Sequence, residues 1–130
     1  MADGMRSVGY GNEIENYRDL RTWQEAHKLV LMVYKASEAL PPSEQYGLTS
    51  QMRRAAVSVP ANIVEGFKRR GIQEKLRFYN IAEASLEELR YFLLLTHDLG
   101  YLTNQAELEK QSESVSKLLY RFIESTARKR

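Results

Sequence analysis

Apolar residues recur every three or four positions along most of this chain of 130 residues, and no segment shows the sustained alternation of a β-strand. That spacing places side chains on one face of an α-helix. Four segments carry it, with these residues on the inner face: Trp23, Ala26, Val30, Val33, Ser37 and Leu40; Leu48, Met52, Ala55, Val59 and Ile63; Phe78, Ala82, Ser85, Leu89, Phe92 and Leu99; and Leu108, Val115, Leu118, Phe122 and Ile123. The pattern predicts an all-α fold of four helices.

Proline and glycine residues mark the ends of these segments. Pro41 and Pro42 end the first helix. Gly66 offers a stop for the second helix, and Gly100 closes the third. Because the connecting loops are short, consecutive helices must run antiparallel. The chain is therefore predicted to form an antiparallel up-down-up-down four-helix bundle.

Pro60 lies inside the second predicted helix. Proline removes a hydrogen-bond donor and crowds the carbonyl group four residues earlier, so a break into two helices is one interpretation. The apolar stripe nevertheless keeps its phase from Met52 through Val59 to Ile63. A single helix with a kink at Pro60 explains that continuity better.

The composition is that of one globular domain, with 43% hydrophobic and 28% charged residues. Residues 1 to 16 contain three glycines and no apolar period, which predicts a flexible N-terminal arm, and residues 17 to 130 are predicted to form the bundle domain. No apolar run approaches the length that spans a bilayer, and no secretory signal is recognised. The absence of cysteine excludes disulfides and thiolate metal sites, and it favours a cytoplasmic location.

Two stretches, residues 29–34 and 91–95, are apolar on all sides of their helices. Successive residues rotate by about 100°, so such a run cannot place every side chain in one bundle core. The residues predicted to form an interface between copies of the chain are Leu31, Tyr34, Tyr91, Leu94 and Leu95. Two alternatives stay open, that the N-terminal arm covers them or that they remain partly exposed.

A polar stripe accompanies the apolar face of the second helix, at Gln51, Arg54, Ser58, Asn62 and Glu65. In a hairpin of the second and third helices, Arg54 comes within one turn of Glu87 and Glu88, which predicts an ion pair. The residues assigned to a structural polar network are Arg54, Asn62, Glu65 and Glu88. A ligand site is the alternative interpretation.

Motifs for catalysis are missing from the sequence. Metal-binding helical bundles of the di-iron type need two Glu-x-x-His motifs, and neither His27 nor His97 belongs to one. There is also no nucleophile elbow, phosphate-binding glycine loop or zinc-protease helix. The sequence therefore predicts a non-enzymatic protein without catalytic residues, metal, cofactor or small-molecule substrate.

Basic residues concentrate between Arg53 and Arg77, where seven of them outnumber two acidic residues. The candidates for contacts with nucleic acid are Lys68, Arg69, Arg70, Lys75 and Arg77. In a symmetric oligomer such a patch is repeated, and it would hold phosphates with little regard to base sequence. The structural alternative is equally open, because cations also complement the C-terminal end of a helix.

The segments Tyr46 to Leu48 and Gln51 to Gly66 closely resemble a four-helix-bundle family that is often encoded within intervening sequences of bacterial 23S rRNA genes. The resemblance covers about residues 17 to 125 and extends to these further positions: Asp19, Leu20, Trp23, Ala26, Pro42, Glu44, Phe78, Ile81, Ala82, Ser85, Leu86, Glu88, Leu89 and Leu99 to Leu102. Gly71 departs from the serine or threonine that is common in the family, which implies a looser cap for the third helix.

The resemblance implies an antiparallel bundle that assembles into a ring-like homopentamer, and it supplies no catalytic residue. It connects the family with ribosomal RNA mainly through gene location, and a related group serves as accessory proteins of diversity-generating retroelements. The resulting hypothesis is a homo-oligomeric scaffold that binds RNA or DNA backbones through the basic patch. The alternative is a protein-interaction adaptor without nucleic acid, such as an accessory subunit of a reverse-transcriptase system.

Overall fold

The computed structural model describes residues 15–129 and folds them into four α-helices. The helices are Arg21–Ser37 (α1), Leu48–Lys68 (α2), Ile72–Asp98 (α3) and Gln105–Ala127 (α4), and single 3-10 turns lie at Tyr17–Asp19 and Pro42–Glu44. No strand occurs in the described range, so the all-α prediction is confirmed. The arm predicted for residues 1 to 16 falls mainly on residues 1–14, which lie outside that range.

Each helix packs against two others. α1 and α3 both contact α2 and α4, whereas α1 and α3 do not contact each other within the described residues. The most extensive contact is between α2 and α3, where Arg54 faces Glu88 and Ser58 faces Ser85. Residues later in α2 face residues earlier in α3. This is consistent with the antiparallel order predicted for the bundle.

The core is built from the periodic apolar residues of all four helices. The large aliphatic side chains that are almost completely buried are Leu29, Val33, Met52, Val59, Ile63, Leu86, Leu89, Leu93, Leu108, Val115 and Leu119. Burial of each contributes about 1.5–3 kcal/mol relative to an exposed position. The inner faces predicted for α2 and for most of α1 are therefore the buried ones, whereas in α4 only Leu108 and Val115 of the predicted residues are fully buried.

The inner face of α3 is rotated relative to its predicted stripe. Phe92 is partly buried against the core, whereas Phe78 is half-buried without packing on it and Leu99 is exposed, so the predicted core positions of Phe78 and Leu99 are wrong. The positions that α3 buries are Tyr79, Ala82, Leu86, Leu89, Leu93 and Thr96. Because α3 carries apolar residues on several sides, the period of its sequence does not fix which side faces the core.

Gly66 does not end α2, as the sequence predicted, because the helix continues to Lys68. Gly66 is buried against Tyr79 of α3, and a Cβ atom built on it would lie 2.5 Å from Tyr79 Cε1. The glycine therefore allows two helices to approach closely. Gly100 plays the predicted role, since its φ of 81° is left-handed and it follows the end of α3.

Pro60 is buried and lies inside an unbroken α2. One helix rather than two therefore spans this segment. The kink at Pro60 stays a prediction.

Candidate nucleic-acid interface

The predicted basic cluster lies where α2 ends and α3 begins. Lys68, Arg69 and Arg70 form the end of α2 and the loop that follows, and all three are exposed. Lys75 and Arg77 lie in the first two turns of α3, where Lys75 is half-buried and Arg77 is exposed. The structure thus brings all five predicted residues to one end of the bundle.

Lys75 also closes the end of α2. Its Nζ donates hydrogen bonds to the carbonyl oxygen of Phe67 at 2.9 Å and to that of Gly66 at 3.4 Å. These carbonyl groups belong to the last turn of the helix, where that of Gly66 also accepts from the Arg69 backbone N–H at 3.1 Å. Burial, and to a smaller extent the charge of Lys129, lower the pKa of Lys75 from its ordinary value. Lys75 therefore has a structural contact in addition to its position in the cluster.

Arg69 and Arg77 approach the same aromatic ring. Their guanidinium carbons lie 4.7 and 4.5 Å from the centroid of Phe78, within the range of cation–π contacts. Arg69 pairs with Glu65 at 3.0 Å, and Arg77 pairs with Glu74 at 3.2 Å. Exposed pairs of this kind contribute at most about 1 kcal/mol each. A phosphate can therefore replace the carboxylates while Phe78 still supports both guanidinium groups.

Three cations outside the predicted set lie at the same end, and one of them, Arg128, is the residue that caps the end of α4. The charge of Lys129, which follows α4, acts on Lys75. Arg18, in the turn before α1, lines a pocket of about 260 Å³ together with Lys68 and Glu15. We call this region the basic end, and its cations are Arg18, Lys68, Arg69, Arg70, Lys75, Arg77, Arg128 and Lys129.

The order of the helices could have predicted the position of Lys129. An up-down bundle places the C-terminal ends of its second and fourth helices at the same end, so the basic residues after α4 belong beside those after α2. Lys68 and Arg70 form no ion pair with any residue in the range 15–129. These two side chains, together with Arg18, Arg128 and Lys129, which also form no ion pair in that range, are open to an added anion.

The predicted polar network is divided between two places. Arg54 Nη2 lies 3.2 Å from Glu88 Oε2, the ion pair that the hairpin predicted, and both side chains are about half exposed. Asn62 donates to Ser58 Oγ at 3.0 Å. Glu65 instead pairs with Arg69 of the basic end. The two ion pairs therefore lie at the surface, whereas the Asn62–Ser58 hydrogen bond is part-buried.

The five residues predicted to form an interface lie on helices that are diagonal to each other. Leu31 of α1 and Tyr91 of α3 are 58% and 57% exposed. Tyr34 and Leu94 are also exposed, whereas Leu95 is half-buried against the core. These residues therefore occupy two surfaces rather than one. Their role in assembly stays a prediction.

Within residues 15–129, no group of three or more histidine, aspartate or glutamate side chains is arranged to hold a metal ion. His27 stacks on Trp23 with ring centroids 5.0 Å apart. No helix of the described part combines the length and apolar character needed to cross a membrane.

Comparison with protein families identifies the chain. The family model described as 23S rRNA-intervening sequence protein matches residues 18–121, which is most of the chain. The chain belongs to the 23S rRNA-intervening sequence protein family. This family match confirms the resemblance seen in the α2 motif. A comparison with curated proteins finds no match.

A solved structure supports the fold of this family member. It is a crystal structure of a protein of unknown function, from the S23 ribosomal protein family, of Bacteroides thetaiotaomicron. It superposes with a TM-score of 0.73 at 21% sequence identity, and the match covers 79% of this chain and 95% of that one. At this identity the likeness shows a shared fold.

Proposed function

We propose that this member of the 23S rRNA-intervening sequence protein family is a non-catalytic scaffold whose basic end binds the phosphate backbone of RNA. The observation that carries the proposal is the convergence of three separate chain segments, around residues 18, 68–77 and 128–129, on one end of the bundle. The whole chain has a formal charge of only +2, but cations that lie close together make the electrostatic potential at this end of the bundle more positive. The name of the family makes RNA the first nucleic acid to test.

In this proposal the helices run up-down-up-down, α2 bends at Pro60, and copies of the chain assemble. Exposed Leu31 and Tyr91 support assembly, because large apolar side chains at the surface are stabilised when a second subunit covers them. A homopentamer is the assembly that the family resemblance implies, and it would repeat the basic end around a ring. Light scattering of concentrated protein tests this point, and a stable monomer contradicts it.

Titration of a labelled RNA at 50 and 200 mM salt tests binding. If three cations of the basic end contact phosphates, counterion release predicts that affinity falls by roughly 20-fold over this range. Replacing Lys68→Glu, Arg69→Glu and Arg70→Glu together should abolish binding. All three side chains are exposed, so circular dichroism should show an intact helical fold.

A matched control uses three exposed lysines elsewhere on the bundle, with Lys28→Glu, Lys35→Glu and Lys110→Glu combined. This variant has the same change in net charge as the variant of the basic end, so it separates a local contact from general attraction to a cationic protein. Equal loss of binding in the two variants would contradict the assignment to the basic end.

A second candidate is a protein-interaction adaptor that binds no nucleic acid. The exposed apolar residues of α1 and α3 favour it, because they offer contacts with a partner protein as well as with a second copy. Absence of RNA and DNA binding at 50 mM salt, with an intact fold, would favour the adaptor over the RNA-binding scaffold.

A further inference from the structure

A groove between α3 and α4 lies beside the basic end. Its volume is about 500 Å³, and it is lined by Glu83 of α3 and by Ser116, Lys117, Tyr120 and Arg121 of α4. Sites for small molecules commonly have volumes of 300–1,000 Å³. The lining combines an aromatic ring with groups of both charges, so a matching ligand would have a flat apolar part and separate anionic and donor groups.

Tyr120 supplies the flat surface. It is 58% exposed, and its ring stacks on no other aromatic ring of the described residues. An exposed tyrosine beside cations is the arrangement on which the bases of single-stranded nucleic acids stack. The neighbouring α4 residue Phe122 packs inward on Tyr79 instead, with ring centroids 4.7 Å apart. Of these two aromatic residues, Tyr120 is the one that can receive a base.

The two walls of the groove carry opposite charges. On α4, Arg121 forms no ion pair with any residue from 15 to 129, and Lys117 has only an exposed pair with Glu113 at 3.7 Å. On α3, Glu83 likewise forms no ion pair within that range. A carboxylate only accepts hydrogen bonds, so it suits the amino groups of a base and not a phosphate. A ligand is thereby oriented, with its phosphate toward α4 and its base edge toward α3.

We propose that this groove holds one unpaired nucleotide of an RNA strand. Its base stacks on Tyr120, its phosphate contacts Lys117 and Arg121, and Glu83 accepts hydrogen bonds from an amino group of the base. The inference rests on the proposed RNA binding and adds the class of ligand, which is single-stranded RNA with amino-bearing bases. Bases within a duplex stay stacked and paired and do not enter such a groove.

Two pyrimidine homopolymers provide a matched pair of probes. Cytosine carries an amino donor where uracil carries an oxygen acceptor, so eight-nucleotide oligo(C) should bind more tightly than oligo(U). Tyr120→Ala should weaken oligo(C) binding by at least about fivefold while a blunt RNA duplex binds as before. Glu83→Gln should reduce the preference for oligo(C) over oligo(U). Fluorescence anisotropy measures all of these affinities.

Tyr46→Ala is the matched control, because Tyr46 is 90% exposed and lies at the opposite end of the bundle, just before α2. It should leave all three affinities unchanged. The nucleotide CMP provides an independent probe of the groove. In NMR spectra it should shift the amide resonances of Ser116 and Lys117 in the wild type, and not in Tyr120→Ala.

The failures of the two proposals can be told apart. If the charge reversal at residues 68–70 abolishes RNA binding while Tyr120→Ala binds oligo(C) as tightly as the wild type, the groove inference is overturned and the proposed function stands. If the wild type binds no RNA at 50 mM salt, the proposed function fails. The groove inference is then tested by CMP alone. It is overturned if CMP causes no shifts at Ser116 and Lys117, or if the same shifts occur in Tyr120→Ala.

Discussion

Adding one methyl group at Gly66 should destabilise this bundle by about 2 kcal/mol. The new Cβ atom would lie 2.5 and 2.8 Å from two ring carbons of Tyr79 and 3.1 Å from the carbonyl oxygen of Lys75. The ring is 1% exposed and cannot swing into solvent. Overpacking of this kind costs about 1–3 kcal/mol, and the additional close approach to the Lys75 carbonyl oxygen, a backbone atom that moves less easily than a side chain, places Gly66→Ala at the upper end. The higher helix propensity of alanine offsets about 1 kcal/mol of this cost, which leaves a net destabilisation of about 2 kcal/mol.

Urea unfolding followed by circular dichroism measures this change. For a small domain a loss of about 2 kcal/mol lowers the urea midpoint by roughly 1 M. Protein concentration must be held fixed, because stability depends on it if copies associate. The control is Gly71→Ala, since nothing lies within 4 Å of a Cβ there and its φ of −85° suits any residue. That variant should stay within about 0.5 kcal/mol of the wild type, because the lower entropy of its unfolded chain offsets the poorer N-capping of alanine at the start of α3.

A Gly66→Ala protein that matches or exceeds the wild type in stability would refute the close approach of α2 and α3. A double-mutant cycle identifies the cause of a loss. Tyr79→Leu removes the ring atoms that the methyl group meets, so Gly66→Ala should be less destabilising in that background. Equal losses in both backgrounds would mean that the clash with Tyr79 is not responsible.

Two further predictions concern charge and pH. Burial raises the pKa of Tyr79 to about 12, so the unfolded chain, with its tyrosine pKa near 10, loses this proton first. The free energy of unfolding should therefore fall between pH 10 and 12, and Tyr79→Phe should flatten that fall in urea titrations. The half-exposed pair of Arg54 and Glu88 should show a coupling energy below about 1 kcal/mol in an Arg54→Ala and Glu88→Ala cycle, and 1 M salt should reduce it.

The sequence was sufficient for the fold wherever a helix has one apolar face. In α2 the predicted residues Met52, Val59 and Ile63 are all buried, because polar positions on the other sides fix the phase. In α3 the apolar residues occupy several sides, and only packing against α2 and α4 decides that Leu93 is fully buried while Phe92 packs at the edge of the core. A tertiary contact likewise explains Gly66. Its local sequence suggests the end of a helix, but glycine is required there because the ring of Tyr79 packs against it.

The candidate site shows the same division between local and non-local information. Lys68, Arg69 and Arg70 were visible as a run in the sequence, and they lie together in the structure. Arg18 and Lys129 were not, because their positions depend on which helix ends meet. The partner of Glu65 was also missed, since Arg69, which caps the end of α2 one turn after Glu65, competes with the more distant partners of the seam.

The basic end and the groove are joined by the last part of α4, since Tyr120 lies about 10 Å along the helix from Ala127. One RNA strand can therefore contact both, and the two contacts respond differently to salt. Phosphate contacts weaken as counterions accumulate, whereas stacking on Tyr120 involves little charge. The fold-loss of oligo(C) affinity caused by Tyr120→Ala should accordingly be the same at 50 and at 200 mM salt. A fold-loss that shrinks as salt rises would mean that Tyr120 acts only through phosphate contacts, with no base placed in the groove.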